Sequence, residues 1–269
     1  MCGINGVVHF KGEVPDRAIL EEMNKSIEHR GPDAGKIEIF DNIGLGHRRL
    51  SIIDLARHAD QPMISDNGQY AIAYNGEIYN FPALKDDLLA LGFDFKTSSD
   101  TEVVLKAYEA WGTLCFQKLN GMFALAIVDN NAGELIIARD SLGIKPLYLH
   151  HSSDLIVFSS EIKAILKHPK VNRTINNQSI TEYMWYGNTL GNNTFYKDIS
   201  EVLPGNFLRF SKSGAVTQTA FFEAEAVQQQ EINEADAVAK TRELLAASVE
   251  RHMISDVPVG IFLSGGVDS

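Results

Sequence analysis

Cysteine is scarce in this sequence, with Cys2 and Cys115 the only two among 269 residues. No Cys-x-x-Cys pair occurs, and no group of His, Cys, Asp and Glu has the spacing of metal ligands, so neither a disulfide framework nor a metal site is predicted. Cys115 lies among apolar residues and is expected to be buried and reduced. This cysteine usage is typical of a reducing compartment and predicts a cytoplasmic location.

Long apolar runs and a surplus of positive charge are also missing. No apolar run approaches the roughly 20 residues that a helix needs to cross a bilayer, and residues 1–11 lack the basic-then-apolar pattern of a signal peptide. The 24 Lys and Arg are outnumbered by 35 Asp and Glu, and the formal net charge is −11. Because nucleic acids and anionic lipids attract cationic surfaces, we expect no nucleic-acid partner and no membrane partner.

Short apolar stretches come in adjacent pairs joined by turn residues, which is the pattern of β-hairpins. The predicted strands are 4–10, 36–40, 43–50, 69–74, 122–128, 134–138, 146–150, 155–159, 206–210 and 215–222. Helices are predicted after the capping residue Asp16 and over 82–91 and 101–111. Strands grouped in this way favour an α+β fold, in which helices cover antiparallel sheets, over alternating βαβ units.

The composition changes after residue 222, where a first domain over 1–222 is predicted to end. Residues 223–234 are polar and rich in Gln and Glu, which predicts a linker. A helix is predicted over 235–252 because apolar residues recur on one face. Those residues are Val238, Leu245 and Val249.

An apolar strand predicted over 257–263 leads into a glycine-rich loop. The loop reads Ser264-Gly265-Gly266-Val267-Asp268-Ser269. Paired glycines and hydroxyls after a strand are typical of a loop whose backbone N–H groups bind phosphate, although a plain tight turn is the alternative. Residues 235–269 are therefore predicted to be the beginning of a second, α/β domain that stops at its phosphate-binding loop.

The start of the chain, Met1-Cys2-Gly3, carries a candidate nucleophile. Removal of Met1, which a small second residue permits, would leave Cys2 with both a thiol and a free α-amine. The pKa of an α-amine ordinarily lies near ~8 and that of a thiol near ~8.5, so one residue would hold a nucleophile and a base of similar pKa. The alternative is that a cysteine stands second by chance.

The two ends of the chain occur together with a series of further motifs. These are HRGPD at 29–33, HRRLSIID at 47–54, YNGEIYN at 74–80, SDTE at 99–102, RDSLGIKPLY at 139–148, FSSE at 158–161 and LPG at 203–205. In this order, and over essentially the whole chain, they resemble the glutamine-dependent asparagine synthetases. The N-terminal half of that family is a class II glutamine amidotransferase domain with the N-terminal-nucleophile hydrolase fold, an αββα sandwich of two antiparallel sheets.

The resemblance implies that Cys2 attacks the side-chain amide of glutamine, releasing glutamate and ammonia. It implies that Asn75 and Gly76 form the oxyanion hole, that Arg49 clamps the substrate carboxylate, and that Glu77 and Asp100 hold the substrate ammonium. The remaining residues expected to line this pocket are Leu50, Ser51, Ile52 and Ile53. Hydrolysis of glutamine itself needs no cofactor and no metal in this family.

The residues themselves leave plainer alternatives open. Asn75-Gly76 is also the strongest short signal for a hairpin turn. Arg49 could be a solvated strand residue, and Asp100 could be part of a helix cap, because Ser99-Asp100-Thr101-Glu102 also has the pattern of a capping box. Lone histidines such as His47 are more often structural than catalytic.

The resemblance further implies that the terminal loop binds ATP. The residues expected to do so are Leu263, Ser264, Gly265, Gly266, Asp268 and Ser269. In the complete enzyme, ATP with Mg²⁺ activates aspartate as an adenylate, which ammonia converts to asparagine. The expected substrates are thus glutamine, aspartate and ATP, the chain alone is expected to be a glutaminase only, and a homodimer is left open.

Three other functions share parts of this pattern. One is an amidotransferase with a different carboxylate or a sugar acceptor, another is a ring-forming synthetase, and the third is a catalytically silent regulatory module. Glutamine hydrolysis is favoured over a ring-forming synthetase and over a silent module because five residues occur together: Cys2, Arg49, Asn75, Glu77 and Asp100. The terminal loop favours a synthetase over the sugar-phosphate and phosphoribosyl amidotransferases.

Overall fold

The computed structural model describes residues 1–224 and 231–266, so Asp268, Ser269 and the middle of the predicted linker lie outside the described residues. The strands are β1 (Gly3–His9), β2 (Ala34–Phe40), β3 (Ile43–Arg49), β4 (Met63–Ile64), β5 (Tyr70–Ile78), β6 (Gly121–Asp129), β7 (Glu134–Arg139), β8 (Tyr148–His151), β9 (Leu155–Ser159), β10 (Ile199–Glu201), β11 (Asn206–Phe210) and β12 (Val216–Ala220). The α-helices are α1 (Arg17–Ser26), α2 (Phe81–Ala90), α3 (Asp100–Trp111), α4 (Ile162–Ile165), α5 (Asn177–Tyr186) and α6 (Glu234–His252).

The strands form two six-stranded antiparallel sheets. The first has the order β10-β8-β9-β1-β3-β2 and the second the order β12-β11-β7-β6-β5-β4. Helices α1 and α4 cover the outer face of the first sheet, and α2 and α3 cover the outer face of the second. The predicted αββα sandwich of two antiparallel sheets is confirmed.

Small side chains bring the two sheets together at the centre of the sandwich. Ala71 and Ala73 of β5 and Ala124 and Ala126 of β6 face the first sheet and are fully buried. The alternate residues of β5, such as Ile72, face the helices of the other layer. Because side chains alternate across a strand, one nine-residue strand contributes to two apolar cores.

The predicted helix starts are largely correct. Asp16 caps α1, since its Oδ1 accepts from the Ala18 N–H at 2.8 Å. At α3 the cap is Ser99, whose hydroxyl accepts from the Thr101 N–H at 3.2 Å. Asp100 is therefore the first residue of the helix and not its cap. The helices α4 and α5 and the short strands β4 and β10 are absent from the sequence-based prediction.

The alternative that Asn75-Gly76 is a hairpin turn is wrong, because β5 continues through both residues to Ile78. Asn75 pairs with Ala124 and Gly76 pairs with Phe123 of β6. A Cβ on Gly76 would lie 2.4 Å from the Met122 carbonyl oxygen. Glycine is needed here because the two strands approach each other closely, and not because a turn requires a positive φ.

The strand predicted over 257–263 is also wrong, since no strand is assigned to those residues. Among the described residues no neighbouring strand lies beside them, and a strand forms only with hydrogen-bonding partners. Phe262 is fully exposed and Leu263 is 78% exposed. The helix predicted over 235–252 is confirmed as α6, but its apolar face of Val238, Leu245 and Val249 is exposed as well. No helix in 1–224 or 231–266 is long and apolar enough to cross a membrane.

Candidate active site

Cys2 lies between two adjoining cavities at one end of the sandwich, just before β1. The larger cavity, of about 310 Å³, extends towards residues 252–259. The smaller one extends towards Arg49 and Asp100. Besides Cys2, the residues that line both are Ile52, Ile53, Gly76 and Glu77. The fold thereby brings together predicted residues that are up to 98 positions apart in the chain.

The Cys2 thiol is held by the chain at the end of β3. The Leu50 N–H donates to Sγ at 3.4 Å, and Sγ lies 3.6 Å from the Leu50 carbonyl oxygen. Burial raises the pKa of the Cys2 thiol, and the Leu50 hydrogen bond only partly offsets that effect. The thiol is therefore neutral at pH 7 and needs a base to become a nucleophile. Burial lowers the pKa of the Met1 α-amine, with Arg30 and Lys145 acting in the same direction.

Asn75 lines the larger cavity and carries a buried hydrogen-bond donor without a partner among the described residues. The residue is 1% exposed, and its Nδ2 has no partner among the described residues. A buried donor without a partner is costly, and such groups are rare in folded proteins. An amide held ready in this way, in the cavity that also contains Cys2, suits an oxyanion that forms during the reaction.

Arg49 is 5% exposed, so the alternative that it is a solvated strand residue is wrong. Its Nη1 donates to the Ala56 carbonyl at 2.8 Å and to the Asp60 carboxylate at 2.7 Å. Its Nη2 donates to the Asp54 carbonyl. These bonds hold the guanidinium rigidly at the wall of the smaller cavity.

Glu77 and Asp100 place two carboxyl groups at the smaller cavity. The Asp100 Oδ2 accepts from the Tyr74 hydroxyl at 2.8 Å and from the Ile78 N–H at 3.1 Å. The pKa of Glu77 is raised to about 8, first by burial and then by the nearby Asp100, while Lys145 acts in the opposite direction. Burial raises the pKa of Asp100 against those two hydrogen bonds. Such a pair favours a cationic ligand, which would stabilise both carboxylates.

The other predicted pocket residues divide into two groups. Leu50, Ile52 and Ile53 line the smaller cavity. Ser51 lines neither cavity, and its N–H donates to the Asp33 carboxylate at 2.8 Å. Residues 50–53 therefore do not line the cavity as one continuous run.

His29 and His47, the two histidines of the motifs around the site, do not line the cavities beside Cys2. His47 Nε2 lies 3.0 Å from the Tyr74 carbonyl oxygen, and burial lowers the pKa of His47 to about 3. His29 Nε2 lies 2.7 Å from the Glu161 carboxylate. Neither lines the two cavities, which agrees with a structural role for each.

Sequence reasoning missed several polar residues of the larger cavity, and two of them are Lys145 and Tyr79. Lys145 is 4% exposed, and burial lowers the pKa of its ammonium while Glu77 opposes that effect. The Tyr79 hydroxyl is buried without a partner among the described residues, and its ring centroid lies 4.1 Å from that of His252. A single lysine in the otherwise apolar run 142–147 was the signal available for Lys145.

The predicted ATP loop lies apart from this site. The described part of it, residues 263–266, is exposed and lines neither of the two cavities beside Cys2. Gly265 has a φ of 78°, a backbone conformation that suits glycine. Across 1–224 and 231–266, no group of three or more His, Cys, Asp and Glu could hold a metal ion.

Comparison with protein families matches residues 1–222 to the glutamine amidotransferase domain family. The chain belongs to that family. The asparagine synthase family matches residues 240–269 of this amidotransferase chain. The resemblance to glutamine-dependent asparagine synthetases is thereby confirmed.

Curated relatives match the whole amidotransferase chain. It is 37% identical over 273 residues to asparagine synthetase [glutamine-hydrolyzing] 3 of Bacillus subtilis, covering 100% of this chain and 44% of that protein. It is 33% identical over 271 residues to asparagine synthetase B [glutamine-hydrolyzing] of Escherichia coli, covering 100% and 43%. The chain thus spans less than half the length of these two relatives.

A solved structure supports the fold. The glutamine phosphoribosylpyrophosphate amidotransferase from B. subtilis, complexed with ADP and GMP, aligns with a TM-score of 0.60 at 23% identity. The alignment covers 83% of this chain and 50% of that one. At this level of identity the likeness shows a shared fold.

Proposed function

We propose that this chain hydrolyses glutamine to glutamate and ammonia, with Cys2 as the nucleophile once Met1 has been removed. One observation carries the proposal: the Cys2 thiol and the unpartnered Asn75 amide share a cavity that adjoins the one bounded by Arg49, Glu77 and Asp100. The amidotransferase family membership supports the same reaction.

Recognition of glutamine follows from the charges at the smaller cavity. The Arg49 guanidinium, anchored by its bonds to residues 54–60, would bind the substrate carboxylate. Glu77 and Asp100 would bind the α-ammonium, and this charge would compensate for their burial. With both ends held, the side-chain amide of glutamine is directed towards Cys2.

The chemistry requires a base, because the buried thiol is neutral. In the processed chain the α-amine of Cys2 would take the thiol proton as Sγ attacks the amide carbon. Asn75 and Gly76 would stabilise the resulting oxyanion. The amine would return its proton to the departing ammonia, leaving a thioester. Water then hydrolyses the thioester, giving glutamate and the free thiol.

We further propose that the complete protein is an ATP-dependent asparagine synthetase that uses this ammonia to amidate aspartate. The asparagine synthase match at 240–269 and the names of the curated relatives support this. The apolar side chains around the larger cavity favour passage of uncharged ammonia, and among them are Ile78, Phe81 and Val257. ATP with Mg²⁺ would supply the activation of aspartate, and the exposed loop at 264–266, with its two glycines, suits a phosphate group.

The test is glutamate release from glutamine by this chain, measured beside Cys2→Ala and beside a form in which Met1 cannot be removed. We expect activity in the processed chain alone, and mass spectrometry would verify the state of Met1. No asparagine should form when aspartate and ATP are added to this chain. Equal activity in Cys2→Ala, or formation of asparagine, would contradict the proposal.

A further inference from the structure

Residue Asp256 makes a two-point contact with the loop that lines the predicted glutamine pocket. Its Oδ2 accepts from the Asp54 N–H at 2.7 Å, and its own N–H donates to the Ile52 carbonyl at 2.9 Å. The partners are about 200 residues apart in the chain, and Asp256 belongs to the part that the asparagine synthase family matches. Hydrogen bonds between the two matched regions therefore end at residues 52–54, which we call the substrate loop.

Asp54 connects Asp256 to both sides of the proposed glutamine site. Its carbonyl accepts from Arg49, the proposed clamp for the substrate carboxylate. Its Oδ2 accepts from the Ser98 N–H at 2.8 Å, two residues before Asp100. The two groups proposed to hold opposite ends of glutamine are thus connected through one residue, whose backbone N–H is bound by Asp256.

The backbone of Asp54 depends on these contacts. Its φ is 53°, in the left-handed region that residues other than glycine seldom adopt. Such a conformation persists when the surroundings determine it, and Asp54 uses its N–H, its carbonyl and both carboxylate oxygens in hydrogen bonds. Removing the partner of its N–H releases one of these constraints.

The same segment also closes the larger cavity. Ile254, Val257 and Val259 contribute to its wall, and the His252 ring contacts that of Tyr79 at a tilt of 38°. Residues 252–259 therefore border both the substrate loop and the cavity beside Cys2.

We propose that Asp256 is a positioning residue for glutamine recognition, which holds Asp54 so that Arg49 and Asp100 stand at the separation that glutamine requires. This inference rests on the proposed glutaminase function. Because coupling between two sites is reciprocal, glutamine in the pocket should in turn hold residues 252–259 in place. The synthetase-type region would then sense whether glutamine is bound.

The test compares Asp256→Ala and Asp256→Asn with Glu250→Ala. Glu250 is an exposed acidic residue of the same region, and its side chain makes no hydrogen bond or ion pair within 1–224 and 231–266. For Asp256→Ala we expect the KM for glutamine to rise about fivefold, the loss of one hydrogen bond, with kcat changed less than about twofold. Asp256→Asn keeps an acceptor oxygen and should recover most of the affinity. Glu250→Ala should match the unaltered chain.

Alkylation of Cys2 by iodoacetamide separates positioning from general damage. This small reagent does not use Arg49 or Asp100, so its rate should be the same in Asp256→Ala and in the unaltered chain. An unchanged KM in Asp256→Ala would overturn the inference, as would a fall in alkylation rate and melting temperature together with the rise in KM.

If the glutaminase proposal is wrong, the unaltered chain itself will be inactive in the glutaminase assay. Calorimetric binding of glutamine in a Cys2→Ala background tests Asp256 without turnover. There Asp256→Ala should again weaken binding about fivefold, and equal affinities would reject the inference.

Discussion

The Arg30 guanidinium donates from Nε to the backbone oxygen of Cys2 at 2.9 Å, so the nucleophile is held through its main chain. The Nη1 of Arg30 in turn donates to the Glu161 carboxylate at 3.1 Å. The two motifs at 29–33 and 158–161 are therefore connected to Cys2 through Arg30. Their contribution is to the orientation of the thiol.

Replacement of Arg30 should affect the chemical step more than substrate binding. For Arg30→Met we expect kcat to fall roughly 10- to 100-fold with little change in KM, because a displaced nucleophile loses its near-attack geometry. Steady-state glutaminase assays check this, with Arg242→Met, an exposed arginine of α6, as the control. A rise in KM without loss of kcat would contradict the assignment.

Replacement of Asn75 should separate activity from stability. Asn75→Ala removes an oxyanion donor, so kcat should fall by about 10²–10³. Because the Asn75 amide has no partner in the described structure, the free energy of unfolding should change little.

The matched control for that experiment is Asn5→Ala. Asn5 is fully buried and its Nδ2 donates to Asn24 at 3.0 Å, so its loss should cost stability by about 1–3 kcal/mol while kcat is retained. Denaturant unfolding of both variants, beside glutaminase assays, provides the measurement. Equal destabilisation of the two would reject the idea that Asn75 is held ready for a ligand.

Gly76 should not tolerate a side chain. In Gly76→Ala the new Cβ would meet the backbone oxygen of Met122 at 2.4 Å, so β5 and β6 must separate beside Cys2. We expect a loss of about 1–3 kcal/mol in the free energy of unfolding, with loss of activity. Gly260→Ala is the control, since nothing lies within 4 Å of its added Cβ and its φ is not positive. Full activity in Gly76→Ala would contradict the observed strand pairing.

Glutamine affinity should improve as the pH rises towards about 8. The pKa of Glu77 is raised to about 8, so in the free chain this group is largely protonated at pH 7. Binding of an ammonium favours the carboxylate, and the proton must be released on binding. The KM should therefore fall from pH 6 to 8, and calorimetry in buffers of different ionisation enthalpy should detect proton release. A Glu77→Gln variant with the same pH dependence would rule this out.

Lys145 offers an independent check of the Glu77 assignment. Its charge lowers the pKa of Glu77, so Lys145→Met should raise that pKa and move the KM profile to higher pH. Lys25→Met, at an exposed position on α1, should leave the profile unchanged. A shift to lower pH would mean that Lys145 does not act on Glu77 through its charge.

The free energy of unfolding of the free chain should fall as the pH rises, whereas the affinity for glutamine should increase. A carboxyl group whose pKa is raised on folding favours the folded state while protonated, so its contribution is present at low pH and is lost as the pH rises through about 8. Saturating glutamine should reduce this loss, because it stabilises the ionised form.

Much of the fold followed from local pattern. The hairpins β2–β3 and β6–β7, the cap at Asp16 and the starts of α2 and α3 are set by side-chain alternation and turn chemistry over a few residues. The short elements α4 and β10 were missed because three or four residues carry too little periodicity to be detected. The strand predicted over 257–263 failed for another reason, since pairing partners decide whether an apolar segment is extended.

The candidate site, too, could be predicted only in part from the sequence. Residue types in the motifs indicated Cys2, Arg49, Asn75, Glu77 and Asp100, and the fold brings all of them to two adjoining cavities. Ser51, also predicted for the pocket, lines neither cavity, and its N–H donates to the Asp33 carboxylate.

What the sequence by itself determined is chemical identity: which residues can act as nucleophile, oxyanion donor, cation and carboxylate, and which stretches form strands and helices. Only the tertiary structure decided that Asn75-Gly76 continues a strand, that Lys145 faces Glu77, and that Asp256 meets Asp54. The physical reason is separation along the chain. Pairing of β5 with β6 and contacts across more than 60 residues depend on which elements pack together, and local periodicity carries no record of that choice.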